Sequence, residues 1–464
     1  MASVDAGSPW FRTITSTQWK ALWAAKLGWM LDAMDFLIYA MALTKLQAYF
    51  DFDSSWAGLL GTITLLVSAA GGLLFGVIAD RIGRTRALML TILIFSACSL
   101  GTATAMSFLQ LALWRAALGI GMGGEWASGA TLISETWPAQ HRSKAISIMQ
   151  SGWALGYILA AAVSALFLDV LPSLIHPDAP PGSTEIYGIE AWRLLFAFGA
   201  LPALLIIWVR GAVEEPAVWK EQQASNVAKI NPFAILFSQK YLSRTLLATL
   251  LTSSVQFAYW GLFFWLPNFL ATPVERGGAG LSIVKSLGWL IPMQIGAYFG
   301  YLSFGFIAEK LGRRPTFVAF LVCAAIVVPI YGQMAREEMV LIALGPILGF
   351  VGHGYFSVFG ALLAELYPTE VRATGQGLTY NVGRAMGALG PFTIGALAER
   401  VGIGSALGLT SAFFLLGSML IFLLPDTSKE EIAATPQREQ DLPLSGALFK
   451  DEHAIQAARH DQAK

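Results

Sequence analysis

The nine residues Gly76-Val-Ile-Ala-Asp80-Arg81-Ile-Gly83-Arg84 reappear as Gly305-Phe-Ile-Ala-Glu309-Lys310-Leu-Gly312-Arg313, 229 positions further along the chain. A second motif, Glu135-Thr-Trp-Pro138 through Arg142, returns as Glu365-Leu-Tyr-Pro368 through Arg372 at a displacement of 230. Two independent motifs at nearly one offset mean that the chain contains one unit twice. Composition says what kind of unit. Of 464 residues, 55% are hydrophobic and only 13% are charged, about half the charged share of soluble proteins. That is too little polar material to cover a water-soluble particle of this size, so the chain is a membrane protein.

Twelve apolar runs lie between the charges, at 21–50, 56–79, 87–106, 110–136, 145–168, 192–213, 241–271, 284–308, 316–334, 339–366, 374–398 and 406–424. A crossing helix needs roughly 20 residues, and open sheet edges cannot face lipid. The expected fold is therefore an all-α membrane protein with twelve transmembrane helices in two pseudo-symmetric six-helix bundles. Residues 21–213 form the first bundle and 241–424 the second, with 1–20 as a polar N-terminus, 214–240 as a charged linker and 425–464 as a polar tail. Residues 172–190 read as a long external loop. Parallel six-helix repeats define one transporter architecture, with the substrate site near the midplane between the halves.

Fourteen basic residues, among them Arg81, Arg84, Arg142, Lys144, Arg210, Lys220, Lys310, Arg313 and Arg372, fall in the loops before odd-numbered helices. The positive-inside rule then puts both termini and the linker in the cytoplasm, and the expected location is the inner (plasma) membrane. The polar first 20 residues and the long, aspartate-containing first run do not read as a cleavable signal. Thirty basic and thirty acidic residues balance, so no global field points to nucleic acid. Cys98 and Cys323 lie singly in apolar runs and read as small packing residues. With no phosphate-binding loop, nucleophile elbow or Cys/His cluster, neither an ATP motor nor an enzyme is expected, and no metal or cofactor.

The twice-occurring GxxxDRxGR pattern resembles the signature of the major facilitator superfamily, over essentially the whole chain outside the tail. Within it, residues 27–36 (Leu-Gly-Trp-Met-Leu-Asp-Ala-Met-Asp-Phe), Arg115 through Gly124-Glu125-Trp126, and Glu135-Thr136-Trp137-Pro138 are similar to the sialate:proton symporter family, which includes sialic acid and monocarboxylate carriers. The resemblance implies the major facilitator fold, proton-coupled symport of an organic anion, function as a monomer, and no cofactor. Two features restrict it. The fifth helix lacks the Gly-Pro pair usual in antiporters, and Thr252-Ser-Ser-Val-Gln256 lacks the His and Asp of the fungal monocarboxylate branch.

The loop motifs read as a conformational latch. Asp80 can pair with Arg81 or Arg84 and with the N-terminus of a facing helix, while Gly76 and Gly83 allow close approach and a tight turn. Gly305, Glu309, Lys310, Gly312 and Arg313 repeat the pattern, and Glu135 and Arg142, with Glu365 and Arg372, are companion charges. Charges deeper in the runs mark a pathway, because each costs about 2.5–3.5 kcal/mol on insertion scales. Asp32 and Asp35 share a helical face with Tyr39. With Arg115 and Glu125 they form either a proton relay or a set in which Arg115 neutralises a carboxylate. Arg384 has no acidic neighbour within a turn. It suits a substrate carboxylate, unless it pairs with a distant acid. Asn381, Gln256, Tyr157 and Tyr39 are further candidate substrate contacts, and His353 is either one of these or a core residue. The alternatives to organic-anion symport are a neutral sugar or polyol carrier, an aromatic-acid carrier, and a transport-dead membrane sensor.

Overall fold

The computed structural model describes residues 10–52, 54–175, 185–224, 231–281, 283–334 and 336–425. The first six crossings are Ser16–Phe50, Ser54–Ile82, Arg84–Ala103, Phe108–Thr136, Ala139–Ile175 and Ala191–Ala212. The second six are Leu242–Phe263 continued by Leu266–Ala271, then Ile283–Leu311, Arg313–Gln333, Glu338–Glu365, Arg372–Gly387 continued by Leu389–Val401, and Ile403–Leu423. They are called spans 1 to 12. The face carrying the connections before spans 3, 5, 7, 9 and 11 is called the basic side.

Span 1 begins at a reciprocal cap. The Gln18 backbone donates to Thr15 Oγ1 at 3.3 Å, and the Thr15 backbone donates to Gln18 Oε1 at 2.8 Å, satisfying two donors that a helix start leaves open. Between spans 2 and 3, and again between 8 and 9, the chain reverses through a single glycine with positive φ, Gly83 (109°) and Gly312 (92°). A side chain would be strained at either position, which is why both copies of the repeat hold Gly there.

Among the described residues, nine helices are long and apolar enough to cross a membrane by composition. Spans 1, 4 and 11 are not among them, and these three hold Asp32, Asp35, Arg115, Glu125 and Arg384, each at most 2% exposed. Their polar groups are turned into protein, where an ionisable side chain is tolerated at depth.

Two segments are more structured than their composition suggests. Within 172–190, Glu185–Ile186 pairs with Ile189–Glu190 in a hairpin turned by Tyr187 and Gly188, both at positive φ. The linker contains the helices Ala217–Ala224 and Pro232–Leu236. Residues 426–464, most of the expected tail, lie outside the described residues.

The bundles meet where span 2 runs along span 11 and the start of span 5 along span 8. Small residues set the separation. A Cβ on Gly76 would stand 2.8 Å from the Ala373 carbonyl oxygen, and one on Gly305 would stand 2.8 Å from Lys144 Cα. Gly72 leaves room for the Asn381 side chain and for Gly377. Eleven residues before Gly72, on nearly the same face of span 2, a Cβ on Gly61 would meet nothing within 4 Å among the described residues. The bundles are closed on the basic side, where Gly76 and Gly305 bring them together.

Candidate functional site

On the basic side, two pseudo-symmetric charge clusters tie one bundle to the other. The side chain of Glu135 is fully buried and accepts from Arg84 of its own bundle through Nε (2.9 Å) and Nη2 (3.0 Å), and from Arg372 Nη1 of the other bundle (2.8 Å). Glu365 repeats the pattern, paired with Arg313 of its own bundle and Arg142 of the other. Each glutamate therefore holds one guanidinium from either bundle, a geometry in which its hydrogen bonds are charge-assisted. Asp80 accepts from the Thr374 amide (2.9 Å), the Thr374 hydroxyl (2.6 Å) and the Ala373 amide (3.3 Å), at the start of span 11, and pairs with Arg84 at 3.2 Å. A carboxylate at a helix N-terminus is favoured by the helix dipole. In the second copy, Glu309 pairs with His141 (2.9 Å) and Lys144, and Arg313 Nε donates to Ser143 Oγ (2.8 Å).

Two expected members of this cluster stand outside it. Arg81 and Lys310 are exposed and make no ion pair within 4 Å among the described residues. They lie beyond the end of the bundle interface, where water competes for their charge. Conversely, Glu215 of the linker was not expected. Its carboxylate accepts from the backbone amides of Arg84 (2.7 Å), Thr85 (3.1 Å) and Arg86 (3.0 Å), capping span 3. Gly83, at the cap position, has no side chain to do this. No local pattern near 215 signals that role, because the contact spans 131 residues.

At mid-depth the candidate residues divide into two groups. Asp35 accepts from Ser99 Oγ on span 3 and packs against Gly199 of span 6. Arg115 acts on it electrostatically and lies over the Tyr39 ring at 4.8 Å. This group is internal to the first bundle, where Arg115 acts as the neutralising partner. Asp32, three residues from Asp35, is within electrostatic reach of Asp35 and Arg115 and of a second set as well. It is within electrostatic reach of Arg384 on span 11, and Glu125 of span 4 is in turn within reach of both. Glu125 occupies the space left by Gly28. Neither oxygen of Asp32 or of Glu125 has a hydrogen-bond partner among the described residues. The two aspartates on one helix thus differ in their partners, Asp35 being hydrogen-bonded to Ser99 and Asp32 alone reaching Arg384 and Glu125.

Arg384 has no carboxylate within 4 Å among the described residues. Its Nη1 lies 3.4 Å from Ser68 Oγ of span 2, and its guanidinium is 5.2 Å from the centre of the Tyr380 ring. Tyr380 in turn stacks on Trp126 of the first bundle, with ring centres 3.6 Å apart and planes 11° from parallel. Beside Arg384 is a central cavity lined by Trp29, Gln150, Trp153, Tyr259, Trp260 and Tyr301, among others. Its free volume is about 20 Å³, room for little more than one water. The lining is aromatic with few polar groups, the usual make-up of a small-molecule site.

The remaining candidates have definite places. Gln256 lines the cavity and ties span 7 to span 11, donating to the Tyr380 carbonyl at 2.8 Å. Asn381 donates to the Gly377 carbonyl at 3.1 Å and fits against Gly72 at the bundle interface. Tyr157 is half-buried against the hydrophobic cluster shared by the two bundles, outside the cavity lining. His353 departs from the substrate-contact expectation. It sits in the core of the second bundle with its Nδ1 3.0 Å from the Gly349 carbonyl and its ring against Phe263, Tyr259 and Tyr301. Trp29, Trp153 and Ser68 enter the site without having been singled out, since tryptophans and serines in apolar runs carry no distinguishing local pattern.

Two parallel six-helix bundles around a midplane cavity, tied on one side by cross-bundle charges, define a secondary transporter. The model of the Major Facilitator Superfamily matches residues 27–303 and 284–462, and the chain belongs to that superfamily. It is 33% identical over 422 residues to a protein of Cupriavidus pinatubonensis described as a probable 4-methylmuconolactone transporter, covering 90% of this chain and 93% of that one. It is 28% identical over 416 residues to the sialic acid transporter NanX of Escherichia coli, covering 89% and 95%. Among solved structures, the proton:xylose symporter XylE superposes with a TM-score of 0.70 at 18% identity, covering 88% of this chain and 95% of that one, a likeness of fold. The chain is an integral multi-pass membrane transporter, not an enzyme.

Proposed function

We propose that this chain imports a small organic anion together with protons across the inner (plasma) membrane, with the basic side facing the cytoplasm. The observation that carries this is Arg384: a buried guanidinium at the bundle interface, free of any carboxylate within 4 Å among the described residues, beside an aromatic-lined cavity. Arg is charged at any working pH and offers a planar fork to a carboxylate. Two buried acids, Asp32 and Glu125, stand within its electrostatic reach with no hydrogen bonds of their own among the described residues.

Charge balance links substrate to proton. With both acids ionised, Asp32, Glu125 and Arg384 sum to −1, and one proton makes the group neutral. A substrate carboxylate arriving at Arg384 returns the sum to −1, and a second proton neutralises it again. Uncompensated charge in an apolar interior is costly, so anion and proton enter together. The relatives' names, sialic acid for one and a muconolactone for another, support an acid with a compact or ring-bearing body. The aromatic lining favours the aromatic or unsaturated acids over lactate, because flat rings stack on Trp and Tyr.

In this reading 21–213 and 241–424 rock as two bodies about the cavity, 214–240 joins them, and a single chain suffices. The Glu135 and Glu365 clusters and Asp80 hold the cytoplasmic side shut, while Asp35, Arg115 and Tyr39 brace the first bundle. The present cavity is too small for such a substrate, so binding requires the side near Gly61 to open. The test is uptake by proteoliposomes of labelled lactate, pyruvate, sialate and benzoate, with and without an inward proton gradient. Accumulation that collapses with a protonophore is expected. Absence of uptake for the whole panel, or uptake indifferent to the gradient, overturns the reading.

A further inference from the structure

Four residues form a layer across the bundle interface, and the internal repeat relates them in pairs. Trp126 and Phe356 are 230 positions apart, and so are Gln150 and Tyr380, the displacement already seen for the Glu135 and Glu365 motifs. All four are at most 5% exposed. Trp126 of span 4 stacks on Tyr380 of span 11, and Gln150 of span 5 donates to the Phe356 carbonyl of span 10 at 3.5 Å, so both contacts cross from one bundle to the other. Within the first bundle, Trp126 Nε1 donates to Gln150 Oε1 at 3.1 Å.

The layer has a definite depth. Trp126 and Glu135, Gln150 and Arg142, Phe356 and Glu365, and Tyr380 and Arg372 are each eight or nine residues apart on one span, about 12–14 Å of helix. Arg384 is one turn further from the charge clusters than Tyr380, and Gln150, Phe356 and Tyr380 all line the cavity. The layer is therefore the floor of the cavity, between Arg384 and the clusters that close the basic side. Aromatic pairs usually meet edge-on or offset, with centres about 4.5–7 Å apart. Trp126 and Tyr380 instead overlap face to face at 3.6 Å and 11° from parallel, which leaves no passage between them and shows that the Tyr380 face accepts a flat partner.

We infer that the face of Tyr380 covered by Trp126 selects a planar, conjugated carboxylic acid, which takes the place of the Trp126 ring when the basic side opens. This rests on the transport reading above and names its substrate class. When the bundles part on that side, Trp126 leaves with the first. Tyr380 and Arg384, one helical turn apart on span 11, stay together in the second. The Arg384 guanidinium is 5.2 Å from the centre of the Tyr380 ring, so an acid held there by its carboxylate lays a flat body on the vacated face. A puckered, saturated ring of the same charge and similar size cannot meet that face over its whole area. The planar acid exchanges one stacking contact for another, whereas the puckered one leaves apolar surface bare.

The test uses the full-length protein in membrane vesicles that expose the basic side, with Cys98 and Cys323 replaced by Ser and the cluster-breaking Glu135→Gln. Trp260→Cys reports passage beyond the layer, since Trp260 lines the cavity one turn past Gln256; Ser147→Cys, three residues before Gln150, reports arrival below it. An impermeant methanethiosulfonate reagent is added on the basic side. Tyr380→Leu and Trp126→Leu are each expected to speed modification of Trp260→Cys about tenfold and that of Ser147→Cys less than twofold, with Tyr380→Phe unchanged. Benzoate and cyclohexanecarboxylate then serve as protecting ligands for Trp260→Cys. Benzoate is expected to protect at about fivefold lower concentration, the scale of one aromatic pair. That preference is expected to persist in Tyr380→Phe and Trp126→Leu and to vanish in Tyr380→Leu. Equal acceleration of both reporters, or of neither, overturns the floor; equal protection by the two acids, or a preference that survives Tyr380→Leu, overturns the selection. Failure of the wild type to transport any member of the acid panel refutes the transport reading alone, because labelling and protection need no turnover.

Discussion

Replacing Glu135 by Gln removes one negative charge from a buried site that binds two guanidinium groups. Glu135 accepts two hydrogen bonds from Arg84 and one from Arg372, and its side chain has no exposed area. Breaking a buried ion pair by neutralising one partner typically costs about 3–5 kcal/mol, because the partner charge stays buried. The amide keeps the shape and part of the hydrogen bonding, so the low end applies, about 3 kcal/mol. Only the arrangement closed on the basic side contains the Arg372 contact, so much of that cost falls on this state. A 3 kcal/mol shift changes the ratio of closed to open by roughly 150-fold. Ser147 reports the opening, since it lies buried where Gly305 meets span 5. In a Cys-free background, the thiol of Ser147→Cys should react with maleimide roughly 100 times faster when Glu135→Gln is present. Glu365→Gln should act equally, being the symmetric partner. Glu309→Gln sets the control: its side chain is 26% exposed, and such a pair is worth about 0–1 kcal/mol, less than a tenfold change. If Glu135→Gln and Glu309→Gln accelerate labelling to the same small extent, the buried clusters are not what holds the side shut.

Further outcomes follow from the same geometry. Arg384→Gln should reduce carboxylate uptake in proteoliposomes about 10- to 150-fold, the worth of a charge-assisted hydrogen bond, with Arg384→Lys intermediate; unchanged uptake by the Gln variant would point to a neutral substrate. Asp32→Asn and Glu125→Gln should each abolish accumulation driven by a pH gradient while leaving exchange of labelled for unlabelled substrate measurable, and retained accumulation in both would remove these acids from coupling. His353→Phe should transport within threefold of wild type, because the ring is a packing element among Phe263, Tyr259 and Tyr301; complete loss in a well-folded variant would restore it to the site. Gly72→Val should fold yet fail to close on the basic side, since its branch would occupy the place of the Asn381 side chain, and normal uptake would contradict that packing.

Much of the architecture is legible along the chain because it rests on quantities that are local or periodic. The repeat offset, the length of each apolar run and the basic loops fix two bundles of six helices and their orientation relative to each other. Nothing comparable marks the partners of a charge. Asp32 and Asp35 are neighbours on one helix and look equivalent, yet Asp35 is hydrogen-bonded to Ser99 beside Arg115, while Asp32 has no hydrogen bond among the described residues and is within electrostatic reach of Arg384 as well as Arg115. Glu215 was beyond the depth argument that picks out Asp32, because its partners are backbone amides of a distant helix start.

By itself the sequence determined that the chain spans a membrane as a duplicated unit, and that Gly83 and Gly312 mark the reversals, since backbone sterics and the thickness of a bilayer act on short stretches of chain. Only the tertiary structure decided which buried charges meet. Most of the partners are far apart in the chain, Arg84 and Glu135 by 51 residues and Arg372 and Glu135 by 237, and a cross-bundle contact such as that of Arg372 with Glu135 exists only once the two bundles are packed against one another.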